Sequence, residues 1–263
     1  MIRKTSIAFF LSFLAFPASG LDISEYDIVD LSHAYGNKTL YWPTSPSRFQ
    51  KTILSYGETD SGYFYSAFSI CTPEHGGTHL DAPLHFAEEG YPTDEVPLRN
   101  LIAPAVVIDV SDKAATNRNY LLSADDVRAF EEQHGRIDPG TIVLLRTDWS
   151  RFWPDAKSYL GDNTPGDASN LVFPSYGEGA ARLLVEERNV AILGVDTAST
   201  DFGQSQDFVV HRIAAARQVS NLENLTNLDK LPPVGSLVMA LPMKIEGGSG
   251  GPVRVVALVA REP

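Results

Sequence analysis

Cysteine is almost absent from this chain: Cys71 is the single one among 263 residues. No disulfide can close within the chain, so stability has to come from a packed core and from subunit contacts. Lying in an apolar run, Cys71 reads as a small buried core residue rather than a nucleophile. Positive charge is also scarce. Lys and Arg number 21 against 33 Asp and Glu, a net charge of −12, which argues against nucleic acid or an anionic membrane surface as a partner. A phosphate-cradling loop is missing too. Gly247-Gly248-Ser249-Gly250-Gly251 has no following Lys and opens no helix, so it reads as a flexible turn.

Long apolar runs are missing except at the start. Arg3 and Lys4 precede a nearly all-apolar stretch at 7–16, and Pro17-Ala18-Ser19-Gly20 follows. This is the layout of a secretory signal peptide, too short for a comfortable membrane span. The expectation is a signal peptide at 1–20, a mature chain from Leu21, and a periplasmic or secreted protein with no membrane attachment after cleavage. No internal repeat, low-complexity tract or linker interrupts 21–263, which is read as one domain.

What is present is an alternation of short apolar, β-rich runs with a few helices. Runs at 26–31, 64–71, 105–110, 141–145, 190–195, 236–241 and 253–259 are bounded by Gly, Pro or Asp, which favours strands. Ser123 is placed to cap a helix over 125–134, with Asp126 three residues on and Gly135 as the stop. Ser175 and Glu178 have capping-box spacing for a helix to about Arg188, with Asn189 as its C-cap. A third helix is expected over 208–217, where Val210, Ile213 and Ala214 share a face. Strands and helices mix without regular alternation, which points to a single α/β domain with a mixed sheet.

The chemistry concentrates in one segment. Of six histidines, three fall in His75-Gly-Gly-Thr-His79-Leu-Asp81-Ala-Pro-Leu-His85. Imidazoles with a carboxylate suit a borderline divalent ion: Mn²⁺, with Zn²⁺ as the alternative. Gly76, Gly77 and Pro83 argue against a regular helix, so a tight glycine turn is expected to fold His75 back beside His79 and Asp81. Two positions apart, His79 and Asp81 point to one side of an extended piece. Three protein ligands leave positions open for water and substrate, as a catalytic site requires. His33 and His134 have no such neighbours and read as structural.

This segment resembles the signature of the metal-dependent cyclase family, which includes isatin hydrolases and bacterial kynurenine formamidases. Further matches support it: Asp30-Leu-Ser-His33, Pro139-Gly-Thr-Ile-Val-Leu-Leu-Arg-Thr-Asp148-Trp149, Gly194-Val-Asp196-Thr-Ala-Ser199-Thr-Asp201, His211 followed by Glu223-Asn-Leu, and Leu231-Pro232. The resemblance implies a compact α/β fold with a β-barrel-like core and surrounding helices, assembled as a homodimer or larger homo-oligomer. It implies His75, His79 and Asp81 as direct metal ligands and His85 as the proton-transfer residue. His211 and Glu223 would face the same site, where the matching pair in formamidases can bind a second metal.

Length, the signal-like start and the aromatic supply look more like the isatin-hydrolase side of the family. That implies a small planar aromatic cyclic amide as substrate, isatin opened to isatinate, with kynurenine formamidase activity as the alternative. Trp42, Tyr63, Phe64, Tyr65, Trp149 and Phe202 are then expected to bind the substrate, flat rings stacking on flat rings, while Phe68 reads as core. Two other classes fit the ligand set. Two His and one carboxylate also suit a non-haem Fe(II) oxygenase, and a non-enzymatic metal binder of the envelope would need no proton-transfer residue.

Overall fold

The computed structural model describes residues 22–261; the expected signal peptide lies outside them. Twelve strands run in chain order: β1 (Tyr26–Asp30), β2 (Gln50–Glu58), β3 (Phe64–Cys71), β4 (His79–Asp81), β5 (Ile102–Asp109), β6 (Leu121–Leu122), β7 (Ile142–Arg146), β8 (Ser175–Tyr176), β9 (Ile192–Val195), β10 (Ser220–Glu223), β11 (Ser236–Pro242) and β12 (Gly250–Ala260). The α-helices are α1 (Leu98–Leu101), α2 (Ser111–Thr116), α3 (Ala124–His134), α4 (Ala156–Leu160), α5 (Glu178–Arg182) and α6 (Val209–Ala215). No helix among the described residues is long and apolar enough to cross a membrane.

Seven strands close on themselves in the order β12-β11-β5-β7-β9-β10-β4, with β4 pairing back to β12 and β1 added outside on β12. The run β5-β7-β9-β10 is parallel and the remaining pairs are antiparallel. The expected mixed, barrel-like α/β domain is therefore what forms. Parallel strands covered on both faces have to be apolar throughout, and β7 shows why. Ile142 and Leu144 join the cluster that fills the barrel, with Leu80, Leu222 and Val255. Val143 and Leu145 alternate to the outside, where Val127, Leu184 and Val210 bring helices α3, α6 and the turn after α5 onto the sheet.

Three expectations need correction. The capping box at Ser123 and Asp126 forms, but the one at Ser175 does not. Ser175 lies in β8, paired to β6, and Gly177 takes the N-cap position, so the serine hydroxyl is held out of reach of the helix. Cys71 and Phe68 are exposed rather than core. They sit on β3, which among the described residues pairs only with β2, so this two-stranded arm has no third layer among those residues to cover it. The glycine-rich segment is no loose turn, since Gly250 and Gly251 begin β12 and pair with Asp81 and Leu80.

Candidate metal centre

The site starts from backbone that only glycine permits. Gly76 has φ 150 and Gly77 has φ 59. A Cβ on Gly76 would meet the Tyr41 ring at 2.1 Å, and one on Gly77 would meet Tyr35 at 2.7 Å. The turn folds His75 back until its Nδ1 is 2.7 Å from Asp81 Oδ1. His79 and Asp81 leave β4 on the same face, His79 Nε2 standing 3.2 Å from Asp81 Oδ1. Directly opposite His79 in the β10 register is Glu223, which brings its Oε2 within 3.6 Å of His79 Nε2. Helix α6 supplies His211, whose Nε2 is 3.2 Å from Asp81 Oδ2 and 3.2 Å from Glu223 Oε1. His75, His79 and Asp81 form one group whose donor atoms lie within 4.8 Å of one another; Asp81, His211 and Glu223 form a second.

Hydrogen bonds behind the rings decide which nitrogens face inward with a lone pair. His79 Nδ1 is 3.0 Å from the Gly77 carbonyl, an acceptor only, so it carries the proton and donates. His211 Nδ1 is 2.6 Å from Asp201 Oδ2, again a donor to a carboxylate. His75 Nε2 is 2.9 Å from Ser249 Oγ, and Ser249 Oγ–H already donates to Glu74 Oε2 at 2.6 Å. The serine therefore has only lone pairs left for His75, which must donate through Nε2. In their neutral forms all three rings turn a bare nitrogen toward two carboxylates. Five acceptors converge, and among the described residues no Lys or Arg lines their cavity. Such a set needs a cation at its centre, and mixed imidazole and carboxylate donors suit a divalent metal.

Protons take that place when the metal does not. Burial alone would discharge His79, but the charges of Asp81 and Glu223 outweigh it and raise it to about 9. Burial opposes charge on His211 as well, yet hydrogen bonds to Asp201, Asp81 and Glu223 hold it well above the usual histidine range. Asp81, although buried, is kept well below the carboxylate range by the surrounding imidazoles.

His85 ends a short 3₁₀ turn, Pro83–His85. Its ring stacks on His75 with centroids 3.8 Å apart. Burial, the largest influence, pushes its pKa down to about 4. In the metal-free chain it is thus a neutral imidazole at pH 7. A cavity of about 450 Å³ opens over these groups.

With this geometry in view, the comparisons with known proteins are specific. A family model described as putative cyclase matches residues 29–202. The isatin hydrolase of Roseibium aggregatum is 34% identical over 251 residues, covering 90% of this chain and 93% of that one. The kynurenine formamidase of Salinibacter ruber is 30% identical over 238 residues, covering 90% of this chain and 99% of that one. A crystal structure of an isatin hydrolase bound to the product analogue thioisatinate superposes with a TM-score of 0.83 at 31% identity, covering 90% of this chain and 94% of that one. This chain belongs to the cyclase family. As a member it is a metal-dependent hydrolase acting on amide C–N bonds. His211 and Glu223 lie beyond the matched residues 29–202, and the fold brings them to the motif.

The aromatic expectations for this cyclase-family chain divide. Trp42 lines the cavity. Tyr63, Phe64 and Tyr65 do not: they stand at the tip of the β2–β3 arm, each more than half exposed. Trp149 is core, its indole N–H donating to the Tyr159 carbonyl at 2.7 Å. Phe202 lines a separate cavity, together with Asp201. The rings that line the site with Trp42 are Tyr41, Phe86 and Phe208. Phe86 was detectable as the neighbour of His85. Phe208 was not, because it is itself a left-handed residue, φ 48, at the N-cap of α6. His33 and His134 stand apart from the centre, His33 stacked on Trp153 and His134 tilted against Phe130.

Proposed function

We propose that this chain opens a small, neutral, aromatic cyclic amide, isatin to isatinate, at a centre held by His75, His79 and Asp81, with His211 and Glu223 facing the same ion. The observation that carries the substrate is the cavity wall. Leu40, Trp42, Phe86, Leu160 and Phe208 offer flat and apolar surface, and among the described residues no Lys or Arg lines the cavity to receive a carboxylate. N-formylkynurenine, the substrate of the alternative activity, carries an amino-acid carboxylate and ammonium; isatin carries neither. Named relatives of both kinds keep formamidase activity as the second reading.

When bound, a divalent cation supplies Lewis acidity toward the carbonyl and makes water a nucleophile near neutral pH; the two carboxylates suit Mn²⁺, and the three imidazoles suit Zn²⁺ as the alternative. The chain's own residues do the rest. Trp42, Phe86 and Phe208 orient the planar ring and exclude solvent. Neutral His85 takes one proton from the attacking water as the C–O bond forms. It returns that proton to the amide nitrogen as the C–N bond breaks, leaving an aniline and a carboxylic acid, which ionises to the carboxylate by releasing water's second proton to solvent. The apolar β2–β3 arm, exposed on both faces, supports a homodimer or larger homo-oligomer, and the first twenty residues support export to the periplasm or beyond.

The test is kcat/KM on isatin against N-formylkynurenine at equal metal loading. Preference for isatin is expected. Preference for the formamide, or turnover of neither, overturns the substrate while leaving the metal centre standing.

A further inference from the structure

The segment Gly247–Gly251 is built as a seat for one side chain of the metal centre. Ser249 stands 174 residues from His75 in the chain, yet its Oγ is 2.9 Å from His75 Nε2. Both Ser249 N–H and Oγ–H donate to Glu74 Oε2, at 3.1 and 2.6 Å. The glycines on either side make room for these contacts. A Cβ on Gly250 would come within 2.5 Å of His75 Cε1, and one on Gly248 within 3.0 Å of Glu74 Oε1. The segment is also bolted down. Thr93 N–H and Oγ–H donate to the Gly248 carbonyl at 2.8 and 2.9 Å, and Ala82 N–H donates to the Ser249 carbonyl at 2.9 Å.

We infer that Glu74 and Ser249 are positioning residues that fix the tautomer of His75 and so set the affinity of the centre for its metal. This rests on the metal reading of the preceding section. Glu74 accepts the serine proton, the serine accepts the proton of His75 Nε2, and His75 Nδ1 is left bare toward Asp81. Without the serine, nothing in this relay holds the proton on Nε2. The ring is then free to carry it on Nδ1, where it blocks metal binding. Outer partners of this type commonly change metal affinity by roughly 10- to 100-fold.

The experiment measures Mn²⁺ dissociation constants by chelator competition for the full chain and for Ser249→Ala and Glu74→Gln. Melting temperatures are recorded on the metal-free proteins, and long-range ¹H–¹⁵N imidazole spectra on Zn²⁺-loaded samples. Ser249→Ala should weaken Mn²⁺ by roughly 10- to 100-fold. Glu74→Gln keeps an acceptor but loses the charge, and should weaken it roughly three- to tenfold. His75 should carry its proton on Nε2 in the unaltered protein. Unchanged affinity in both variants, a His75 protonated on Nδ1, or a fall in melting temperature with no change in affinity would each overturn the assignment. Failure of the unaltered protein to take up Mn²⁺ would overturn the metal reading itself, a separate result.

Discussion

Asp201 and His211 form a closed pair at the start of α6. Asp201 Oδ2 accepts both the ring Nδ1–H of His211 at 2.6 Å and its backbone N–H at 2.9 Å, while Oδ1 accepts Val210 N–H at 2.8 Å. One buried carboxylate thus replaces the missing N-cap of the helix and turns the imidazole toward Asp81 and Glu223.

Asp201→Asn should therefore loosen the metal while leaving the chain folded. The amide can present N–H where an acceptor is required, which drives the His211 proton to Nε2. Mn²⁺ affinity is expected to fall roughly 10- to 100-fold, read by chelator competition. Affinity within a factor of two of the unaltered protein would show that the pair serves the helix alone.

Asp81→Ala and His85→Ala should fail differently. Asp81 touches His75, His79 and His211, so its loss should abolish both bound metal and turnover. His85 stacks on His75 without a hydrogen bond to the carboxylates, so its loss should keep metal content and reduce kcat by roughly two to four decades. Elemental analysis beside steady-state kinetics separates the two. Metal lost in proportion to activity in His85→Ala would make His85 a ligand.

Metal binding should release protons. His79 is raised to about 9 and His211 well above the usual range in the metal-free chain, and each must lose its proton to offer a lone pair. Calorimetry at pH 7.5 in buffers of different ionisation enthalpy should count roughly one to two protons per Mn²⁺, with affinity rising as pH rises toward 9. No proton release would mean that the cluster is already neutral.

Stability in acid should depend on His33. Its ring stacks on Trp153 at 4.2 Å, its Nε2 has no hydrogen-bond partner among the described residues, and burial lowers its pKa to about 4. The unfolded chain protonates near 6.5, so this contribution is intact above about 6.5 and is lost as pH falls toward and through 4, about 2 kcal/mol by pH 5. His33→Phe keeps the stacked ring without the proton. In the presence of a chelator its melting temperature should fall less between pH 7.5 and 5.0 than that of the unaltered chain; equal slopes would place the titration elsewhere.

The motif was legible because its logic is local. Glycine alone tolerates the turn at 76–77, and a two-residue period puts His79 and Asp81 on one side of any strand. The apolar runs of β7 and β9 and the cap at Ser123 are likewise written in neighbouring residues, whereas the barrel was expected only from the family resemblance, since strands covered on both faces also build open sheets. The positions of Ser249 behind His75, and of Glu223 opposite His79, depend on register and closure across up to 174 residues, which no local preference encodes. The aromatics show the same limit. Tyr63, Trp149 and Phe208 look equivalent in the sequence, since hydrophobicity says that a ring should be covered but not by what. Only the tertiary structure sent one to an exposed arm, one to the core and one to the wall of the site.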